Sequence, residues 1–207
     1  MHSLTWLWLV GIAFICGALP FSVWLGKLFL RVDIRQLGDG NPGATNVYRG
    51  GNKLVALLAL LLDVSKAAAP VGIAYYNLEI RGIPMVMIAL APILGHVFSP
   101  FLRFRGGKGL ATALGVWIGL TIWKASTAAV LSISIGMLLL TEPGWAVVVG
   151  LAGLLLAILA WFPAPVILAV WVGETVILLW THRHDLSRAP QVHRWVKHLF
   201  ERRLERY

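Results

Sequence analysis

Long apolar runs separated by short polar segments fill this chain from about residue 4 to residue 181. Crossing the roughly 30 Å hydrocarbon core takes about 20 apolar residues in a helix. The runs predict seven membrane spans, near 4–30, 54–76, 83–100, 109–123, 125–140, 144–161 and 164–181. The chain therefore reads as all-α, a polytopic integral membrane protein with one domain over 1–207. The first run, Leu4 to Leu30, has no Lys or Arg before it and is long for a signal-peptide apolar region, so it is predicted to be a retained span. The closing stretch 191–207 places Val192, Trp195, Val196, Leu199 and Leu204 at near-helical spacing among basic residues. It predicts an amphipathic tail lying on an anionic inner membrane surface.

Composition agrees. The chain is 58% hydrophobic and only 13% charged, with a mean hydropathy of +0.79, whereas soluble domains carry about 25% charge. The net charge of +9 raises the question of nucleic acid, but the distribution answers it. Of 18 Lys and Arg residues, 14 fall in segments 31–53, 101–108 and the tail from His182, while the alternating loops hold only Arg81 and Lys124. With seven spans those three segments share one face. The positive-inside rule makes that face cytoplasmic, with the N-terminus outside and the C-terminus in the cytoplasm. No nucleic-acid partner is expected. The single cysteine, Cys16, lies in the first span and reads as packing.

Two polar loops interrupt this apolar chain with similar chemistry. In GDGNPGATNVYR, glycines at 38, 40 and 43 permit positive φ and turn N–H groups toward one point, as in loops that cradle an oxyanion. Asn41, Thr45 and Asn46 add side-chain donors, and Arg49 offers the bidentate charge that a phosphate favours. In FRGGKGLAT, Gly106, Gly107 and Gly109 surround Lys108, and Gly109 leads into the next span toward Thr112, so backbone donors, a helix N-terminus and an ammonium converge. Asp39 lies inside the first loop. His96 sits in a span three residues before Ser99, where it is either a buried hydrogen-bonded residue or a site residue. Asp63 and Lys66 form an i,i+3 pair, read as structural, and Glu174 needs a partner from another span. THRHDLSR at the last span's exit supplies His182, Arg183, Asp185 and Arg188, with Asp185 sharing a helical face with both His182 and Arg188. His182, His184 and Asp185 have zinc-ligand chemistry, but no second ligand cluster is present and no metal is expected.

Taken together, GDGNPGATNVYR, LLLDVSK, LGHVFSPFLRFRGGKGLATALG and THRHDLSR resemble, in order and spacing, the bacterial acyl-phosphate:glycerol-3-phosphate acyltransferases, the PlsY family. The likeness covers roughly residues 5–190. It implies a multi-pass inner-membrane enzyme that joins an acyl group from acyl phosphate to the 1-hydroxyl of glycerol 3-phosphate at a cytoplasm-facing site, using no cofactor, no acyl-CoA and no metal. The family pattern assigns Asn41, Thr45, Asn46 and Arg49 to the first phosphate loop, Lys108 and its glycines to the second, and His182 to the polyol site. Arg49, Lys108, His182 and Asp185 are the catalytic candidates. Gly38, Asp39, Gly40, Asn41, Gly43, Thr45, Asn46, His96, Gly106, Gly107, Gly109 and Thr112 are the substrate-binding candidates. The acceptor's own phosphate takes the proton in the family scheme; His182 or Asp185 is the side-chain alternative.

Three departures stand out. Asp39 replaces the family's serine, TEPGWAVV at 141–148 lacks its serine motif, and Asp185 replaces the asparagine of His-Arg-x-Asn. A carboxylate near a bound phosphate weakens the site unless it points away or pairs with Arg35 or Arg49. A changed acceptor, an inactive paralogue and an organic-phosphate transporter are the competing expectations.

Overall fold

The structure, a computed structural model, describes residues 5–197. Those residues form ten α-helices and no named strand. The first apolar run is broken: α1 (Thr5–Ala18) ends before Pro20, and α2 (Phe21–Leu25) restarts after it and continues as a wider π-turn, Gly26–Leu30. Proline has no N–H to continue the ladder and restricts Leu19 before it, which accounts for the break. A short helix, α3 (Ala44–Arg49), sits inside the first polar loop, and α4 (Lys53–Gly72) follows, capped by Asn52, whose Oδ1 accepts from the amides of Leu54 and Val55. The remaining helices are α5 (Ile83–Val97), α6 (Leu110–Thr121), α7 (Lys124–Leu139), α8 (Pro143–Trp161), α9 (Pro165–Thr181) and α10 (Arg183–Leu186).

Four stretches are long and apolar enough to cross a membrane: Trp6–Leu30, Lys53–Asn77, Gly82–Leu102 and Pro143–Trp161. Leu110–Thr121, Lys124–Leu139 and Pro165–Thr181 are shorter apolar helices. At 1.5 Å per residue the 12 residues of α6 reach only about 18 Å. Large apolar side chains such as Leu54, Leu61, Leu131, Leu138 and Leu156 point outward, as expected where hydrocarbon is the surroundings.

Helices pair as α1 with α5, α4 with α6, and α7 with α8. Backbones meet at small residues. A Cβ on Gly17 would overlap the backbone of Pro92, one on Gly95 would overlap the Phe14 carbonyl, and one on Gly115 would overlap that of Val64. Close approach at glycine is how helices gain packing where lipid offers no hydrophobic drive. A second, smaller core of Val23, Ile34, Val47, Val55, Ala59 and Leu102 lies beneath the first polar loop. It fastens that loop to α2 and α4 through Ile34 and Val47, both fully buried.

Polar side chains buried among the helices are paired. Asp63 and Lys66 form the expected pair at 2.7 Å. Glu174 finds its partner on α6, where Trp117 Nε1 donates to it at 2.6 Å. Ser99 Oγ donates to the Ala18 carbonyl at 2.6 Å. At the other end of the sequence, Leu140 and Val192 form an isolated antiparallel bridge, and Trp145 Nε1 donates to the Arg188 carbonyl at 2.8 Å. The α7–α8 turn and the start of the tail therefore lie side by side. Of the tail expected to be amphipathic, 198–207 falls outside the described residues.

Candidate active site

The first loop is organised around Asn46, which is 1% exposed. Its Nδ2 donates to Asp39 Oδ1 at 3.1 Å and to the Asn41 carbonyl at 2.9 Å, while its Oδ1 accepts from Arg49 at 2.8 Å. Both amide hydrogens are thereby spent, so Asn46 holds the loop together and is not the free anion donor that its sequence position suggests. Gly38 and Gly40 have φ of 55° and 74°, in the left-handed region open to glycine. Gly43 does not: its φ is −125°, and it is glycine because a Cβ would crowd Asn41 Nδ2 at 2.8 Å. Thr45, also expected in the site, is exposed, and its hydroxyl makes no hydrogen bond to a described residue.

The second loop folds back on the end of α5. The Gly106 amide donates to the Val97 carbonyl at 3.0 Å and that of Gly107 to the His96 carbonyl at 3.2 Å. A Cβ on Gly106 would overlap the His96 carbonyl. These glycines serve close packing, and their N–H groups are not free for an oxyanion. The loop's uncommitted donors are instead at the start of α6, after Gly109 in its left-handed conformation (φ 86°), because the first N–H groups of a helix lack intrahelical acceptors. Thr112 points inward, fully buried, with Oγ1 unpartnered.

The two loops are joined directly. The Lys108 amide donates to Asn41 Oδ1 at 3.0 Å across 67 residues of sequence. Lys108 Nζ lies 2.8 Å from Asp185 Oδ2 and 3.1 Å from Asp39 Oδ2, and Arg49 approaches Asp39 at 3.7 Å. Asp39 thus pairs with Lys108 and Arg49. Arg35 is engaged elsewhere, with Asp33 at 2.6 Å, and that bond holds the Asp33 carboxyl down at about 2. Arg188 likewise turns to Glu142 at 3.8 Å and not to Asp185. Burial alone would raise the pKa of Asp39, but the hydrogen bonds from Lys108, the Asn41 amide and Asn46, with the Lys108 charge, bring it below the ordinary value. For Lys108, burial opposes the charge, and the two carboxylates outweigh burial and raise its pKa.

The C-terminal motif closes the third side. Thr181 Oγ1 donates to the Lys108 carbonyl at 2.9 Å. His182 is 4% exposed, with Nδ1 2.9 Å from the Leu178 carbonyl. Only an N–H can make that bond, so Nδ1 carries the proton and Nε2 the lone pair. Burial lowers its pKa, the Leu178 bond opposes this, and the Lys108 charge adds to the lowering, so the ring is neutral at pH 7.

A cleft of about 370 Å³ opens among these segments. It is lined by Asp39, Gly40, Asn41, Gly106, Gly107, Lys108, Thr181 and Arg183, with Phe98, Phe104 and Trp180 as an apolar wall. Gly38, Asn46 and Arg49 support it from one side, Asp185 holds its ammonium, His182 adjoins Thr181, and His96 stands behind Gly107. Thr181 and Arg105 line the cleft yet were not site candidates, although Thr181 opens the THRHDLSR motif and Arg105 belongs to the basic loop; Arg183, which that motif also supplies, lines it too. Among the described residues no three His, Cys, Asp or Glu side chains gather as a metal site, and Asp185 is occupied by Lys108.

Comparison with known proteins gives one family. The family model for glycerol-3-phosphate acyltransferase matches residues 7–191. A glycerol-3-phosphate acyltransferase of Anaeromyxobacter sp. (strain Fw109-5) is 45% identical over 127 residues, which span 59% of this chain and 62% of that relative. One from Aromatoleum aromaticum is 39% identical over 180 residues, spanning 85% of this chain and 88% of the relative. The crystal structure of PlsY (YgiH), an integral membrane glycerol 3-phosphate acyltransferase in its glycerol 3-phosphate form, superposes with a TM-score of 0.81 at 28% identity, covering 95% of this chain and 99% of that one.

Proposed function

The chain belongs to the glycerol-3-phosphate acyltransferase family, and from that membership we infer that it transfers an acyl group from acyl phosphate to the 1-hydroxyl of glycerol 3-phosphate. The products are lysophosphatidic acid and inorganic phosphate, and the pathway served is phospholipid synthesis. The observation that carries this reading is the hydrogen bond from Lys108 N to Asn41 Oδ1, which makes one cleft of two phosphate-type loops.

The acceptor hydroxyl attacks the acyl carbonyl carbon, the carbon–oxygen bond to phosphate breaks, and phosphate leaves with that bond's electron pair. The hydroxyl proton passes to the acceptor's own phosphate, with Nε2 of His182 or the Asp185 carboxylate as the side-chain alternative. Because acyl phosphate is already activated, positioning and charge stabilisation supply much of the rate. Lys108, Arg49 and the first amides of α6 stabilise the phosphates. The apolar wall of Phe98, Phe104 and Trp180 sits where an acyl chain leaves the cleft for lipid.

Seven crossings, with the N-terminus outside and the cleft in the cytoplasm, fit this reading. The bonds among Asn41, Lys108 and Asp185 bring the three basic segments to one face, and the Leu140–Val192 bridge brings the α7–α8 turn to the same face. That is the alternation seven spans require, and its basic face is the cytoplasmic one by the positive-inside rule.

The test is release of inorganic phosphate by purified protein from acyl phosphate in the presence of glycerol 3-phosphate. No release with that acceptor overturns the reading. A panel of other polyol phosphates is included because Asp39 and Asp185 both lie on Lys108, and a preferred alternative acceptor would identify an altered specificity. Replacing Asp39 with serine is expected to lower the KM for glycerol 3-phosphate by about fivefold, the scale of one partly exposed ion pair. An unchanged or higher KM in steady-state assays would show that Asp39 does not compete with substrate for Lys108.

A further inference from the structure

Beneath the cleft a chain of buried polar groups crosses three helices. Lys66 Nζ makes three contacts: Asp63 Oδ1 at 2.7 Å, the Leu19 carbonyl at 3.0 Å and His96 Nδ1 at 2.8 Å. The second oxygen of Asp63 accepts from Ser22 Oγ at 2.6 Å. The side chains of Lys66 and Asp63 are only 1% and 2% exposed. Asp63 and the Leu19 carbonyl take two of the three N–H groups of this buried ammonium. The third N–H reaches a ring 30 residues away.

An ammonium has three hydrogens and no lone pair. With all three directed outward, Nδ1 of His96 accepts, and the ring proton of the neutral imidazole resides on Nε2. That nitrogen makes no hydrogen bond with a described residue. It rests against Gly107, where a Cβ would overlap it and would stand 3.2 Å from Asn41 Oδ1. Nε2 is not one of the enclosed, unpartnered atoms, so it is open to a ligand at this point. Here the unpartnered donor is turned to the seam between the two glycine loops.

We propose that Lys66 is a positioning residue: held by Asp63 and the Leu19 carbonyl, it fixes His96 as the Nε2–H tautomer so that the ring donates to a substrate phosphate at the seam of the two loops. This rests on the acyltransferase reading for the identity of the phosphate. The neutral donor adds a hydrogen bond without adding another charge beside Lys108.

The experiment is nitrogen-15 NMR of histidine-labelled protein in detergent micelles, with His96 assigned among the six histidines by its loss in His96→Gln. The expected result is a protonated Nε2 and an accepting Nδ1, with the Nε2 resonance moving when inorganic phosphate is added. An Nδ1–H tautomer, or no response to phosphate, overturns the proposal. In kinetics, the double variant Asp63→Asn/Lys66→Met removes the ion pair without stranding a carboxylate. It is expected to lose about tenfold to 100-fold in kcat/KM, the scale of one hydrogen bond to a charged group. In a His96→Gln background the same change should cost less than about threefold. The full loss recurring in that background would mean that Lys66 acts through the fold and not through His96. If the variant does not fold, the wild-type tautomer and its phosphate response still decide. Wild-type protein that shows both NMR signatures but transfers no acyl group would overturn the function reading and leave the positioning role standing.

Discussion

Replacing Lys108 with alanine is expected to lower kcat/KM for acyl transfer by about 1,000-fold while the protein still inserts and purifies as wild type. Loss of one preorganised donor to a developing oxyanion costs about 100-fold to 1,000-fold. The environment of Lys108 puts the effect at the upper end. Its ammonium is the counter-ion of both Asp39 and Asp185, so its removal leaves two carboxylates facing the place where phosphates must bind. Its amide, which joins the loops through Asn41, survives the substitution, and the fold should therefore persist. Phosphate-release assays on protein of wild-type chromatographic behaviour provide the measurement. A loss smaller than about tenfold would remove Lys108 from the chemistry. Adding Asp185→Asn should restore part of the KM but little of kcat, since it relieves repulsion without returning the donor.

The second large effect is on the fold. Gly95→Val is expected to abolish well-folded protein, because the new Cβ would occupy the position of the Phe14 carbonyl. α1 and α5 touch backbone to backbone there, and Gly17 makes the reciprocal contact on Pro92. No rotamer change relieves a clash with main chain, so the helices must separate. That separation also stretches the Ser99–Ala18 hydrogen bond and disturbs the Leu19 carbonyl that Lys66 uses. Overpacking of this kind costs about 3 kcal/mol or more. Thermal unfolding followed by size-exclusion chromatography should show Gly95→Val aggregated or far less stable. Gly11→Val is the control, since a Cβ at Gly11 has no neighbour within 4 Å, and its melting temperature should stay near wild type. Equal behaviour of the two variants would contradict the close crossing.

The helices and the two glycine loops were readable in advance because each signal is local. Apolar runs of membrane length mark the spans, and a glycine at φ 55° or 74° in a turn belongs to its own few residues. The i,i+3 spacing of Asp63 and Lys66 likewise anticipated their ion pair. What was not readable is where the donors go. Asn46, Gly106 and Gly107 have the residue types of an anion cradle, yet their N–H groups are consumed by Asp39, Asn41, Val97 and His96. Those partners depend on how α5 and the loops stack, which spacing does not encode. Asp39 had several cations within sequence reach, and Lys108, far along the chain, took its second oxygen because the loops converge. Arg35 was removed from that competition by Asp33, only two residues away.

The two acidic side chains buried among the helices differ in a way that bears on how the protein enters the bilayer. Asp63 brings its counter-charge on the same helix, so α4 is self-neutralised and can leave the translocation machinery for lipid by itself. Glu174 has no such companion on α9, and the indole that receives it is Trp117 of α6. The carboxyl of α9 is thus accommodated by a helix from earlier in the chain, whereas that of α4 has its counter-charge beside it.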